Sequence, residues 1–207
     1  RFIYCGSIGI KVVLNTFRTE YGYTGEATND MEEVSVGPFS FEETTFLCEC
    51  YTMSGFNIDP EGKTYLWQLV HKLTNGLPYY TSKIFNILQT EFDKNITTEN
   101  IHLAYQDIIN NSNHHKAFNQ LIQRIKIYYP SDKSDAMIKI LSNIAKNDNF
   151  LSEKELMKIP NLEEVDVSQN LYDLYADHYL TREIKDGERL FQFKYEIFKQ
   201  WWKINIA

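Results

Sequence analysis

Gly6-Ser7 puts a hydroxyl directly after the apolar run Phe2-Ile3-Tyr4-Cys5. At the carboxyl end of a strand in an open α/β sheet, such a group lies where ligands bind. Serine ahead of a periodic apolar stretch is also an ordinary helix N-cap, and one Ser7 can do both. Gly76-Leu77-Pro78 is a second stretch of interest. Its glycine and proline suit the end of one helix and the start of the next. Tyr79 and Tyr80 behind them carry rings able to stack on a base, although aromatics at helical spacing more often fill a core. Gly62-Lys63-Thr64 looks like the end of a phosphate loop, whose pattern is G-x-x-x-x-G-K-[ST] after a strand. The first glycine of that pattern falls on Asn57 and no strand precedes it. The backbone cradle for phosphates is therefore missing, and no apolar strand ends in an aspartate suited to magnesium.

Other reactive residue types are scattered. His114 and His115 are adjacent, so on a helix they point apart, and no carboxylate or cysteine stands at ligand spacing. They read as solvated, and no metal site is expected. Asp173 and Asp177 share a helix face, which reads as an exposed acidic surface before a metal pair. The three cysteines are odd in number, and Cys48 and Cys50 do not face each other on a helix. Reduced thiols in or near the core follow, in keeping with a cytoplasmic setting. Nothing resembles a Ser-His-Asp or Cys-His nucleophile system.

Around Ser7 the elements are short. Phe2–Cys5 is too brief for a helix and stops at Gly6. Ile8, Val12, Val13 and Phe17 then recur at helical steps. Val34 and Val36 alternate with Glu33 and Ser35 before Gly37-Pro38, as a short strand would. Strand, helix and strand make a βαβ unit, which belongs in a parallel sheet buried on both faces. Two strands alone are marginal, and Arg1 sits directly on the first. These residues are thus expected to be the back end of a longer chain whose front supplies the remaining strands.

RFIYCGSIGI, followed by NDMEEVSVGPFS and then a helix, resembles the end of the ATPase core in the archaeal-type STAND ATPases, a branch of the AAA-related P-loop ATPases. LTNGLPYYTSKIF (73–85) is similar to the Gly-x-Pro lid motif of that family. The resemblance implies that Ser7 occupies the sensor-1 position, sensing a γ-phosphate or orienting the attacking water. It implies that Gly6 and Ser7, with Gly76, Leu77 and Pro78 against the adenine, contribute to the nucleotide site. ATP and Mg would be bound mainly by an upstream core, so the 207 residues alone should not hydrolyse ATP. The complete protein would be a nucleotide-driven switch whose ATP/ADP state moves lid and winged helix together, with a protein partner or oligomer possible.

Bulk composition admits this. A chain of 207 residues with 43% hydrophobic and 24% charged residues is globular rather than disordered. No apolar run reaches the eighteen or so residues of a membrane span. The net charge of −7 counts against a partner held by phosphate contacts.

From Ser40 onward the pattern is helical. Ser40 caps a helix with Leu47, Cys50 and Tyr51 on one face, and Gly55 ends it. Tyr65, Leu66, Leu69, Val70 and Leu73 mark the next, which closes at Asn75-Gly76. Pro78 opens a helix burying Ile84, Ile87 and Leu88. Thr97 or Thr98 caps another through Ile109, and Lys116–Tyr129 follows with Phe118, Leu121, Ile122 and Ile125 inward. Beyond Pro130, Met137, Ile138, Leu141 and Ile144 line a helix. Ser152–Glu155 is a capping box, and Val167, Leu171, Leu174 and Tyr175 mark a third helix. Asp186-Gly187 turns a hairpin between Tyr179–Ile184 and Arg189–Phe193. A last helix carries Ile197, Phe198, Trp201 and Trp202.

The predicted fold is mostly α, in three parts. Residues 1–39 are the remnant of a parallel α/β P-loop core, 40–130 a helical lid and connector, and 131–207 a winged helix-turn-helix. A winged helix can read DNA through its third helix. Here no Lys or Arg falls between Lys158 and Arg182, while Glu163, Glu164, Asp166, Asp173 and Asp177 are acidic. That face meets repulsion from a duplex. The competing reading is a non-enzymatic winged-helix module, either a DNA-binding regulator or a protein-interaction adaptor.

Overall fold

The computed structural model describes residues 14, 17, 18, 20–22, 24, 25, 36–160, 162 and 166–207. The Phe2–Cys5 strand, the Gly6-Ser7 corner and residues 33–35 of the second strand lie outside them. Val36 is described, and it is 95% exposed in irregular backbone rather than in a strand. The described residues are mostly helical, with two small sheets. No helix among them is long and apolar enough to cross a membrane. They fall into two compact units, 36–118 with 195–207, and 119–194.

The first unit holds α1 (Phe41–Met53), α2 (Lys63–Thr74), α3 (Pro78–Glu91), α4 (Thr98–Asn110), the start of α5 (Lys116–Tyr128) and the last helix, α9 (Glu196–Asn205). Ser40 and Glu43 form the capping box that starts α1, and Thr97 caps α4. Inside, Phe85 stacks on Tyr51 at 4.2 Å and meets Phe56 edge-on. Phe118 is sandwiched between Tyr80 and Trp201, at 5.0 and 4.9 Å. A two-residue parallel pair, β1 (Asn57–Ile58) with β2 (Asn95–Ile96), closes one end. On α1 the buried face carries Thr44 and Cys48, and Cys50 is exposed, away from the expected stripe. Tyr65, also expected inside, is 58% exposed.

Helix α9, expected within a 131–207 module, packs here instead. Ile197, Trp201 and Trp202 are buried, with α4 and α2 as its neighbours. Its own first residues supply no capping side chain. Asn75 does so from a distance, its Oδ1 accepting from the Ile197 N–H at 3.0 Å.

The second unit contains the rest of α5, then α6 (Ser131–Lys146), β3 (Leu151–Ser152), α7 (Glu153–Leu156), α8 (Val167–Ala176), β4 (Leu180–Lys185) and β5 (Glu188–Phe193). The strands pair antiparallel in the order β3-β5-β4. Leu151 lies opposite Phe191, and Leu180 opposite Phe193. Asp186 (φ 52°) and Gly187 (φ 78°) form the two-residue turn whose twist matches the hairpin. Met137, Ile140, Leu141 and Ile144 from α6 pack with Leu171, Leu174 and Phe191 into the core. The sequence pattern does not announce β3, because two residues running straight into a capping box show no alternation.

Candidate functional site

The turn between α2 and α3 is built from two consecutive left-handed residues. Asn75 (φ 53°) is the C-cap of α2, and Gly76 follows at φ 67°. Asparagine tolerates that region and glycine is at ease in it. The Gly76 N–H returns to the His71 carbonyl at 3.1 Å, and the Leu77 N–H to that of Thr74 at 3.0 Å. Pro78 then starts α3, where its missing N–H leaves nothing unpaired. Thr74 and Thr81 lock the corner from within, their hydroxyls 3.1 Å apart, and the Thr81 hydroxyl donates to the Leu77 carbonyl. Gly76, Leu77 and Pro78 thus form one rigid corner, with Gly76 buried and the other two half-buried.

That corner is bonded to the segment entering α1. The Phe39 N–H donates to the Gly76 carbonyl at 2.7 Å. A Cβ on Gly76 would lie 2.2 Å from the Phe39 carbonyl oxygen and 3.0 Å from His71 Cε1. Glycine is required twice, for its dihedral and for its lack of a side chain. His71 completes the joint, with Nδ1 hydrogen-bonded to Thr44 Oγ1 at 2.9 Å and its ring edge-on to Phe41. The sequence does not single out His71, since a histidine five residues before a glycine carries no recognisable signal.

Of the two tyrosines beyond Pro78, Tyr80 is 4% exposed and stacked in the core. Burial pushes its phenol far above the usual tyrosine value. Tyr79 is 49% exposed and meets Tyr80 edge-on. Gly6 and Ser7, the other candidate site residues, lie outside the described residues.

The remaining candidates are occupied structurally. Lys63 pairs with Glu49 Oε2, whose other oxygen accepts from Trp67 Nε1 at 3.0 Å. The Lys63 hydrogen bond is the main cause holding the Glu49 carboxyl below its ordinary value. His114 and His115, expected to be solvated, are both engaged. His114 donates from Nε2 to Asp107 Oδ2 and accepts at Nδ1 from Lys83, each at 2.8 Å. His115 is 9% exposed and donates to the Ile109 carbonyl. On α8, Asp173 pairs with Lys133, and just past its end Asp177 accepts from the Tyr129 hydroxyl at 2.7 Å. The expected open acidic face is therefore partly neutralised within its own unit. Among the described residues no group of three or more His, Cys, Asp or Glu could hold a metal.

Compared with known proteins, the chain matches no family model, no curated protein and no solved structure.

Proposed function

We propose that this chain is the C-terminal part of an ATP-binding switch of the archaeal-type STAND group of AAA-related ATPases. In this reading 36–118 is the lid over the nucleotide, and 119–194 is a winged-helix arm. Ser7 senses the γ-phosphate, while ATP and Mg are held mainly by a P-loop core whose sequence pattern these residues lack. The arm's order of helix, strand, two helices and hairpin, with β3 beside β5, supports the winged-helix part.

The observation that carries the proposal is the bond between Phe39 and Gly76. It joins the segment that would leave the last core strand to the corner that would face the adenine. A nucleotide that binds one lid position better than another shifts the lid by that difference in affinity, and this joint would transmit the shift. Tyr79 is the ring available to stack on the base.

The test is fluorescent ATP-analogue binding by the complete protein. Base stacking contributes about 1–3 kcal/mol, so Tyr79→Ala is expected to weaken binding roughly tenfold. Its melting temperature should stay unchanged, because the ring is half-exposed. Equal affinity in the variant, or no nucleotide binding at all, would refute the proposal.

A protein-interaction adaptor is the second reading, favoured by Tyr172 on α8 and Ile184 on the hairpin, 58% and 71% exposed. Both are apolar anchors on a unit whose α8 lacks lysine and arginine, a composition suited to a protein rather than a duplex.

A further inference from the structure

An open cleft of about 310 Å³ lies within the 119–194 unit, lined by Tyr175, Ala176, His178, Leu180, Thr181 and Lys194. Two features of its backbone fix the polar groups. The Lys194 N–H donates to the Tyr179 carbonyl at 2.9 Å, anchoring the foot of the hairpin beside the end of α8. His178 then occupies the left-handed position of a helix-ending motif. Its N–H donates to the Tyr175 carbonyl and the Tyr179 N–H to that of Leu174, the paired bonds that usually enclose a glycine. At φ 65° a histidine is strained there relative to glycine. Strain of this kind clusters at functional positions.

The strained ring is in use. Lys194 Nζ lies 3.1 Å from His178 Nδ1. An ammonium can only donate, so Nδ1 accepts and the neutral ring carries its proton on Nε2. Arg182, outside the cleft lining, places its guanidinium 4.7 Å from the centre of the Tyr175 ring. The carboxylate beside the cleft in sequence, Asp177, is bonded to Tyr129. The cleft thus combines ammonium, imidazole and hydroxyl groups with the flat wall of Tyr175 and the apolar side of Leu180.

We infer that this cleft binds a small organic anion, a phosphate or carboxylate on a flat apolar body, with Lys194 and His178 meeting the charge and Tyr175 the ring. None of these three residues belongs to the nucleotide reading above, so this site stands or falls separately. Partial desolvation of the Lys194 ammonium lowers its pKa, and a bound anion would reverse that shift.

Calorimetric titration of the 207-residue chain with phenyl phosphate tests this, with benzoate, inorganic phosphate and benzyl alcohol as comparison ligands. Phenyl phosphate should saturate a single site, with benzoate binding there too. Benzyl alcohol, without charge, and inorganic phosphate, without a ring, should each bind about tenfold more weakly or worse, since a charge-assisted bond is worth that much. Lys194→Met should weaken phenyl phosphate by about tenfold, while Lys185→Met, at the hairpin tip, should leave it unchanged. His178→Gly should also lose affinity while melting as high as the wild type or higher, a combination that mere structural damage does not produce. Should Lys194→Met fail to fold, Lys194→Gln and Thr181→Val report on the same contacts. Absent binding, equal binding of inorganic and phenyl phosphate, or an equal loss in Lys185→Met would overturn the inference.

Discussion

Among the helices that end in the left-handed conformation, α2 and α8 fill that position in opposite ways. At the end of α2 the residues are Asn75 and Gly76, and a Cβ on Gly76 would strike the Phe39 carbonyl at 2.2 Å. At the end of α8 the residue is His178, whose ring reaches Lys194 across an open cleft. The dihedral is nearly the same, 67° against 65°. What differs is the neighbour. Where backbone crowds the turn, only glycine fits. Where space is open, a side chain is tolerated against its conformational preference, and it makes a contact that glycine could not.

The sharpest way to break this contrast is Gly76→Ala. A left-handed alanine costs about 1 kcal/mol. The new methyl also displaces the 36–40 segment, losing the Phe39 hydrogen bond and the packing of Phe41 against His71. The sum is about 3 kcal/mol, or roughly 6–12 °C in a thermal melt for a chain of this size. A drop of only a degree or two would mean the corner is not rigid.

The α8 turn answers to its carboxylate. Burial raises the pKa of Asp177, the Tyr129 hydroxyl partly opposes that rise, and Asp173 adds to it. An acid whose folded pKa is raised contributes stability that is complete below its unfolded pKa and is lost as pH climbs through the folded one. Tyr129→Phe removes the opposing hydrogen bond and drives the folded pKa higher still. Its destabilisation should be about 2 kcal/mol near pH 7 and shrink toward about pH 3, where Asp177 is protonated in both states. Urea melts at the two pH values check this. A constant difference would show that the hydroxyl acts on something other than the Asp177 charge.

Asn75→Ala probes the other turn more gently. It removes a residue tolerant of the left-handed region and the acceptor that caps α9 at Ile197. A lost N-cap is worth about 1 kcal/mol, so about 1.5 kcal/mol is expected overall. Amide exchange at Ile197 should quicken more than at Ile101 in α4, the sign that a specific cap has been lost.

Much of this local chemistry is legible in the sequence. Ser40 and Ser152 announce their helices because capping boxes are written in residues three apart, and Asp186-Gly187 announces its hairpin through an equally local pair. Asn75-Gly76 and Pro78 mark the α2–α3 corner to the residue. What periodicity and motifs do not carry is anything spanning a long separation. The Phe39–Gly76 bond, the His71–Thr44 bond and the cap that Asn75 gives to Ile197 join residues 37, 27 and 122 positions apart. Helix α9 falls into the wrong unit for that reason, since its stripe of Ile197, Trp201 and Trp202 says that it packs and not against what. Cys50 and Tyr65 point inward on paper because α1 and α2 carry apolar residues on more than one face, and periodicity alone cannot choose between them.

The smallest expected effect isolates what glycine contributes without crowding. Gly55, after α1, has φ 88°, and a methyl placed on it would meet nothing within 4 Å. Gly55→Ala therefore meets the same kind of dihedral demand as Gly76→Ala and none of the collision. About 1 kcal/mol is expected, about a third of the loss at Gly76, read as a melt shifted by roughly 2–4 °C. If the two alanine variants melted together, the 2.2 Å approach to Phe39 would count for nothing, and dihedral strain alone would account for both glycines. A clear gap between them assigns the remainder to the joint that the proposed lid depends on.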